Sequence, residues 1–288
     1  MDTMNKSLIT ALLLSCATTA YAETPKRTAF IFASFRDTTA TDPIDKNVTW
    51  RNVAMTYQSI RGLGIPGDEI YIFYNDIKPN KEDNSISLKV ELDAHTLYPG
   101  EYSKLEEIFK EKTNNLSSKD EVILTTLSHG ADGILYCDYG SRVSGLELSR
   151  LVNTTQARTA AYYSACYSQL ILDRSIAKNA VLASSTDRRH MCWSDRNYCN
   201  NSDYFEAFTK KEADTDGNGK VSFEEASEFV HGKWDGYMKN FLENYLISEY
   251  KYPIGFNYPR EAMIKDTLCY PQIKRSRAVP TSWTLEKK

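Results

Sequence analysis

Two sets of residues in this chain have types and spacing suited to chemistry. The first is a histidine and a cysteine, each closing an apolar run. Ser128-His129-Gly130 follows Glu121–Leu127 (EVILTTL), and Cys166 follows Thr159–Ala165. The thiolate is the reactive form of cysteine, and a free thiol is mostly protonated near neutral pH. Acyl transfer therefore needs a neighbour that takes the thiol proton and returns it to the leaving group; histidine titrates in the right range. Backbone N–H groups must also meet the developing oxyanion, and Gly130 beside the histidine lets a substrate carbonyl approach. Isolated cysteines and histidines are more often packing or surface groups. What positions this pair decides between the two readings.

The second set is Asp214–Glu225, D-T-D-G-N-G-K-V-S-F-E-E. It fits the twelve-residue EF-hand loop. Asp214, Asp216 and Asn218 fall at positions 1, 3 and 5, and Lys220 offers its carbonyl at 7. Gly219 takes the sharp turn, Val221 the apolar position, and Glu225 the bidentate place at 12. Hard oxygen donors suit Ca²⁺, which is the expected structural cofactor; no organic cofactor is indicated. EF-hands usually work in pairs and one loop is visible, so the expected site is weak and loaded by external calcium. The alternative is a polar helix–turn–helix linker of similar composition. His95, His129, His190 and His231 are scattered without zinc spacing, which argues against a metal-dependent hydrolase.

The elements that must position these residues alternate. Thr28–Ala33, Glu69–Tyr74, Glu121–Leu127, Thr159–Ala165 and Ala180–Ser185 read as buried strands. Arg51–Leu63 reads as a helix with Val53, Tyr57 and Ile60 on one face; Leu105, Ile108 and Phe109 mark another helix, and Leu146–Val152 a third. Ile134–Val143 reads as a hairpin turned at Tyr139-Gly140-Ser141. Strands separated by helices imply parallel pairing through crossovers. The expected fold is therefore a three-layer α/β/α sandwich with a mostly parallel sheet. In such sheets functional residues gather at the carboxyl ends of strands, where His129 and Cys166 both fall. The last third reads as helical, with Val230, Trp234, Tyr237, Phe241 and Tyr245 at core spacing.

The chain has 288 residues and a net charge of −3, which gives no basic excess for nucleic acid. Nineteen tyrosines and four tryptophans belong to a packed chain. Residues 1–22 read as a signal peptide, with Lys6, the apolar Leu8–Leu14 and the Ala20-Tyr21-Ala22 cleavage site. Leu13-Leu14-Ser15-Cys16 also resembles a bacterial lipobox, with a lipid anchor at Cys16 as the competing reading. Both export the protein, to a periplasmic or extracellular location, and no other segment is a membrane-span candidate. Of six cysteines, Cys137, Cys192, Cys199 and Cys269 can make two disulfides in three connectivities, leaving Cys166 free. Cys192 with Cys199 closes the shortest loop and is the expected pair.

Trp50-Arg51-Asn52-Val53-Ala54, Tyr57-Gln58, Gly64-Ile65-Pro66, Asp68-Glu69-Ile70, Asn75-Asp76-Ile77, Tyr98–Tyr102 (YPGEY), Ser128–Leu135 (SHGADGIL) and Ser164-Ala165-Cys166 occur in this order. As a set they resemble the legumain (asparaginyl endopeptidase) family and the related catalytic subunit of the GPI transamidase, from about Thr28 to Phe205. The resemblance implies a caspase-type fold and a cysteine endopeptidase with a protein or peptide substrate. It gives His129 and Cys166 the dyad roles and the N–H groups of Gly130 and Cys166 the oxyanion hole. It puts Arg51, Ser164 and Asp203 at the substrate pocket, where Arg51 and Asp203 together would meet an asparagine amide. Two positions depart from the family: Ser164 stands for a usual Glu, which opens the specificity to Asp, and Thr49 for the asparagine that orients the histidine. The organisation expected is a signal peptide (1–22), a legumain-like peptidase domain (23–205), an EF-hand-like helix–loop–helix (206–250) and a C-terminal extension (251–288). A transpeptidase using the same dyad, and an inactive calcium-binding scaffold, are the alternative functions.

Overall fold

The structure is a computed structural model describing residues 24–34, 43–74, 97–137, 141–189, 192, 199–244 and 271–286; for 43–49 and 238–244 only the helical backbone is described. The leader with Cys16, the 75–96 stretch with His95, the Tyr139-Gly140 turn, His190, Tyr245 and Cys269 lie outside the described residues, as do the side chains of Thr49 and Phe241.

The chain runs β1 (Arg27–Ala33), α1 (Pro43–Gly62), β2 (Ile70–Tyr74), β3 (Leu97–Pro99), α2 (Tyr102–Thr113), β4 (Glu121–Leu127), β5 (His129–Ala131), β6 (Ile134–Tyr136) and β7 (Arg142–Ser144). It continues through α3 (Gly145–Val152), β8 (Arg158–Ser164), α4 (Gln169–Arg174), β9 (Ala180–Ser184), α5 (Asn200–Ala207), α6 (Phe223–Asn244) and β10 (Gln272–Arg275). Seven strands form one sheet in the order β10-β9-β8-β4-β1-β2-β3. Neighbours are parallel except β10, which lies antiparallel to β9.

The central strands β1 and β4 are buried along their whole length because both faces are covered. In β1, Ala29, Ile31 and Ala33 face one core, and Phe30 and Phe32 the other. Helices α1, α5 and α6 cover the first face, through Val53, Tyr57, Ile60, Tyr204, Phe205, Val230 and Trp234. Helices α2, α3 and α4 cover the second, through Leu105, Ile108, Phe109, Leu148, Leu151, Ile171 and Leu172. Each such side chain contributes about 1.5–3 kcal/mol on full burial, so the three-layer sandwich follows from the alternation of side chains along each strand.

Two of the differences from the reading of the sequence shape the architecture most. The hairpin β6–β7 is present, but it is extended by β5 into a three-stranded sheet. Asp132 (φ 53°) and Gly133 (φ 72°) close the β5–β6 hairpin with positive φ at both central positions, the conformation an Asp-Gly pair favours. Residues 271–286 are also built into the sandwich. Strand β10 extends the sheet, while Val279, Trp283 and Leu285 enter the same core as α6. The Trp283 indole donates to Glu121 Oε1 at 3.2 Å, beneath the Arg158 guanidinium 5.3 Å from its ring centroid. Gln-Ile-Lys-Arg lacks an apolar run because an edge strand has one neighbour and is only partly buried.

Candidate active site

Strands β4 and β8 are parallel neighbours, with Leu127 opposite Ser164. The Ser128 N–H donates to the Ser164 carbonyl at 3.2 Å. His129 and Cys166 therefore leave adjacent strands at the same edge of the sheet. Ser128 Oγ donates to the Tyr136 carbonyl at 2.9 Å, which ties the histidine's hairpin to the strand end. Gly130 packs directly on the cysteine motif. A Cβ built there would lie 2.7 Å from both Ala165 Cβ and the Cys166 carbonyl oxygen. Only glycine permits this approach. His129 is exposed at the head of β5 and Cys166 is half-buried.

After Cys166 the chain leaves the sheet abruptly. Tyr167 has φ +56°, a sparsely populated conformation for a bulky residue that costs on the order of 1–3 kcal/mol. A hydroxyl network holds it. The Ser168 N–H donates to Thr186 Oγ1 at 2.9 Å, the Thr186 N–H to Ser168 Oγ at 3.1 Å, and Thr186 Oγ1 to the Ala165 carbonyl at 3.1 Å. Ser185 Oγ accepts from the Ala165 N–H at 3.3 Å. Ser168, Ser185 and Thr186 are fully buried. The sequence reading missed this clamp, although a Ser-Ser-Thr run ending an apolar strand is its visible signal.

The Cys166 thiol donates to the Cys192 carbonyl at 3.7 Å. Burial, and then the neighbouring Cys192, push it up to about 11. Cys166 therefore rests as the thiol near neutral pH. Cys192 Sγ lies 3.3 Å from Ser164 Oγ and accepts from Asn200 Nδ2 at 3.4 Å. Ser164 is buried, 8% exposed.

The expected Cys192–Cys199 disulfide is not formed; Cys192, Cys199 and Cys166 are all free thiols. Cys199 caps the start of α5 and faces α1, donating to the Asn52 carbonyl at 3.6 Å and meeting Thr56 Oγ1 at 3.5 Å. Cys192 Sγ meets Ser164 Oγ and Asn200 Nδ2 instead, so the two sulfurs serve different elements.

Arg51 is half-buried on α1, next to Trp50, whose ring meets Tyr74 at the carboxyl end of β2 with centroids 5.2 Å apart. Among the described residues Arg51 has no hydrogen-bond or ion-pair partner. Asp203, by contrast, is 2% exposed, with its carboxylate held by Lys233 Nζ at 2.5 Å and Trp234 Nε1 at 3.2 Å. Burial raises its pKa and Lys233 opposes the rise. The Asp203 carboxylate is thus engaged by α6. The asparagine two residues earlier bonds instead to the active edge of the sheet: Asn201 Nδ2 donates to Thr125 Oγ1 and, at 3.0 Å, to the Thr126 carbonyl.

In the acidic loop, Asp214, Asp216 and Glu225 bring carboxylate oxygens within 4.8 Å of one another. Gly217 (φ 71°) and Gly219 (φ 85°) curl the chain so that the Asn218 and Gly219 N–H groups reach Asp214. Asn218 Oδ1 accepts from the Lys220 N–H at 2.9 Å, and Lys220 Nζ pairs with Glu286 at 2.7 Å. Glu225 accepts from the Thr215, Asp216 and Ser222 N–H groups, and the last of these caps α6. Three carboxylates at this separation fit a hard cation such as Ca²⁺.

No protein-family profile matches the chain, and no curated protein matches it in sequence. Among solved structures, caspase-1 from Spodoptera frugiperda is similar with a TM-score of 0.56, over 92% of this chain and 91% of that one, at 13% identity. The chain thus has a caspase-like α/β fold. At that identity the likeness carries the fold alone.

Proposed function

We propose that the chain is an exported, legumain-like cysteine endopeptidase. The observation that carries this reading is the packing of Gly130 on Ala165 and Cys166, which brings a His-Gly motif and a cysteine turn to one strand edge. In the reaction, Cys166 Sγ attacks the scissile carbonyl carbon as His129 takes the thiol proton. The N–H groups of Gly130 and Cys166 receive the oxyanion, and His129 returns the proton to the departing amine. Water then releases the acyl group; an amine in its place would make the same site a transpeptidase.

Arg51, without an acidic partner among the described residues, favours a carboxylate at P1, so cleavage after Asp is expected to exceed cleavage after Asn. Asp214, Asp216, Asn218, the Lys220 carbonyl and Glu225 would hold a structural Ca²⁺. No helix among the described residues is long and apolar enough to cross a membrane. The protonated Cys166 thiol favours a second reading, an inactive calcium-binding scaffold. A fluorogenic peptide panel varied at P1, run on the chain from Glu23 with calcium and beside Cys166→Ala, separates the two. Turnover abolished by the substitution supports the peptidase, and no turnover under reducing conditions supports the scaffold.

A further inference from the structure

Two of the four described cysteines sit at the candidate site. Cys137 and Cys199 are each 1% exposed and directed at carbonyls of their own surroundings. Cys166 and Cys192 are half-buried, within reach of a small solute, and adjoin each other. Cys166 Sγ is 3.7 Å from the Cys192 carbonyl oxygen, and Cys192 Sγ is 3.3 Å from Ser164 Oγ, two residues before Cys166. A carbonyl oxygen lies about 2.4 Å from its own Cα, so the Cys192 Cα is within about 6 Å of the Cys166 sulfur. Disulfides span Cα separations of about 4.4–6.8 Å; the same bond lengths put the two Cα atoms within about 9 Å of each other, so closing the bond takes an approach of the Cys192 backbone together with rotation of both side chains.

We propose that Cys166 and Cys192 form a reversible disulfide that blocks the nucleophile, with a low-molecular-weight disulfide as the oxidant. Cys192, whose sulfur accepts from Asn200 Nδ2, attacks one sulfur of the small disulfide and expels a thiolate. Cys166 Sγ then attacks the Cys192 sulfur of the mixed disulfide and expels the second thiolate. The two protein thiols lose two protons and two electrons; the small disulfide gains both and becomes two thiols. Burial of the Cys166 thiol slows the second step without preventing it, because exchange proceeds through whatever thiolate is present. Cys199 cannot compete, since its sulfur is enclosed between α1 and α5.

The disulfide does not depend on the peptidase reading; the loss of turnover it causes does. The test incubates the full chain with oxidised glutathione, quenches in acid, caps free thiols with N-ethylmaleimide and maps the unreduced digest by mass spectrometry. The expected result is a peptide linking Cys166 to Cys192 that dithiothreitol removes and Cys192→Ala lacks. Peptide turnover should fall in step with the linked fraction and return on reduction. Glutathione on Cys166 with Cys192 capped by maleimide, or a link from either cysteine to Cys269, would overturn the proposal. A linked peptide in a protein that shows no turnover even when reduced would keep the disulfide and remove the peptidase reading.

Discussion

Gly130→Ala perturbs a close contact between the two halves of the site. The new methyl would lie 2.7 Å from the Cys166 carbonyl oxygen and from Ala165 Cβ. Carbon atoms pack best at about 3.5–4.0 Å, so the hairpin or the cysteine turn must shift by close to 1 Å. The turn cannot yield easily, because the hydroxyls of Ser168, Ser185 and Thr186 hold it from behind. The hairpin is tied at its base through Ser128. Overpacking of this kind costs about 1–3 kcal/mol, and a 1 Å misplacement of reacting groups costs about 100-fold in rate. The expected outcome is a melting temperature a few degrees lower and kcat/KM reduced by about 10–100-fold, with Cys166 still present by thiol count. Gly232→Ala is the matched control. Its Cβ meets open space on α6, so it should stabilise the fold by about 0.5–1 kcal/mol. Thermal unfolding and peptide turnover read both variants. Full stability and full activity in Gly130→Ala would refute the claim that this approach assembles the site.

The remaining predictions concern separate groups. Because burial pushes the Cys166 thiol up to about 11, its alkylation by iodoacetamide should be slow at pH 7 and rise about tenfold per pH unit toward that value; a rate flat between pH 5 and 8 would reveal a resting thiolate–imidazolium pair instead. Asp203 is raised by burial, so its ionisation opposes folding. Its contribution is most favourable below the ordinary carboxylate pKa and is lost as pH rises toward the folded value. Asp203→Asn should therefore flatten the mildly acidic part of the stability–pH curve, whereas Lys233→Met should destabilise at pH 7 by about 1–3 kcal/mol by leaving the buried carboxylate without its cation. Trp283→Ala should cost about 3–5 kcal/mol in denaturant unfolding; a change below 1 kcal/mol would mean the tail is a removable cap. Calcium at ten to a hundred times Kd should add about 1–3 kcal/mol of stability, seen as a higher melting temperature that EDTA reverses and Asp214→Ala lacks.

Much of the scaffold was legible in the sequence because its signals are local. Apolar runs such as Glu121–Leu127 make central strands, and Val53, Tyr57 and Ile60 share one helix face in both sequence and structure. Alternation of strands and helices implied a parallel sheet, and a parallel sheet put His129 and Cys166 at carboxyl ends. The expected spacing of Asp214, Asp216 and Glu225 was equally local, since one loop holds all three. The Asp132-Gly133 turn and the Ser184-Ser185-Thr186 run were visible too, and neither was read for what it does.

Tertiary structure alone decided which side chains meet. A strand order of β8-β4-β1 makes His129 and Cys166 neighbours, and no periodicity in the chain encodes that order. Asp203 faces Lys233 because α6 folds back on α5, a contact between helices that no local pattern announces. Cys199 turns to α1 and Cys192 to Ser164 at the end of β8, so the shortest loop in sequence was the wrong guide to sulfur pairing. Trp283 reaches Glu121 across most of the chain. Local patterns follow from backbone geometry and side-chain burial within a few residues, whereas contacts between distant segments depend on how whole layers pack, and the chemistry of this site is made of such contacts.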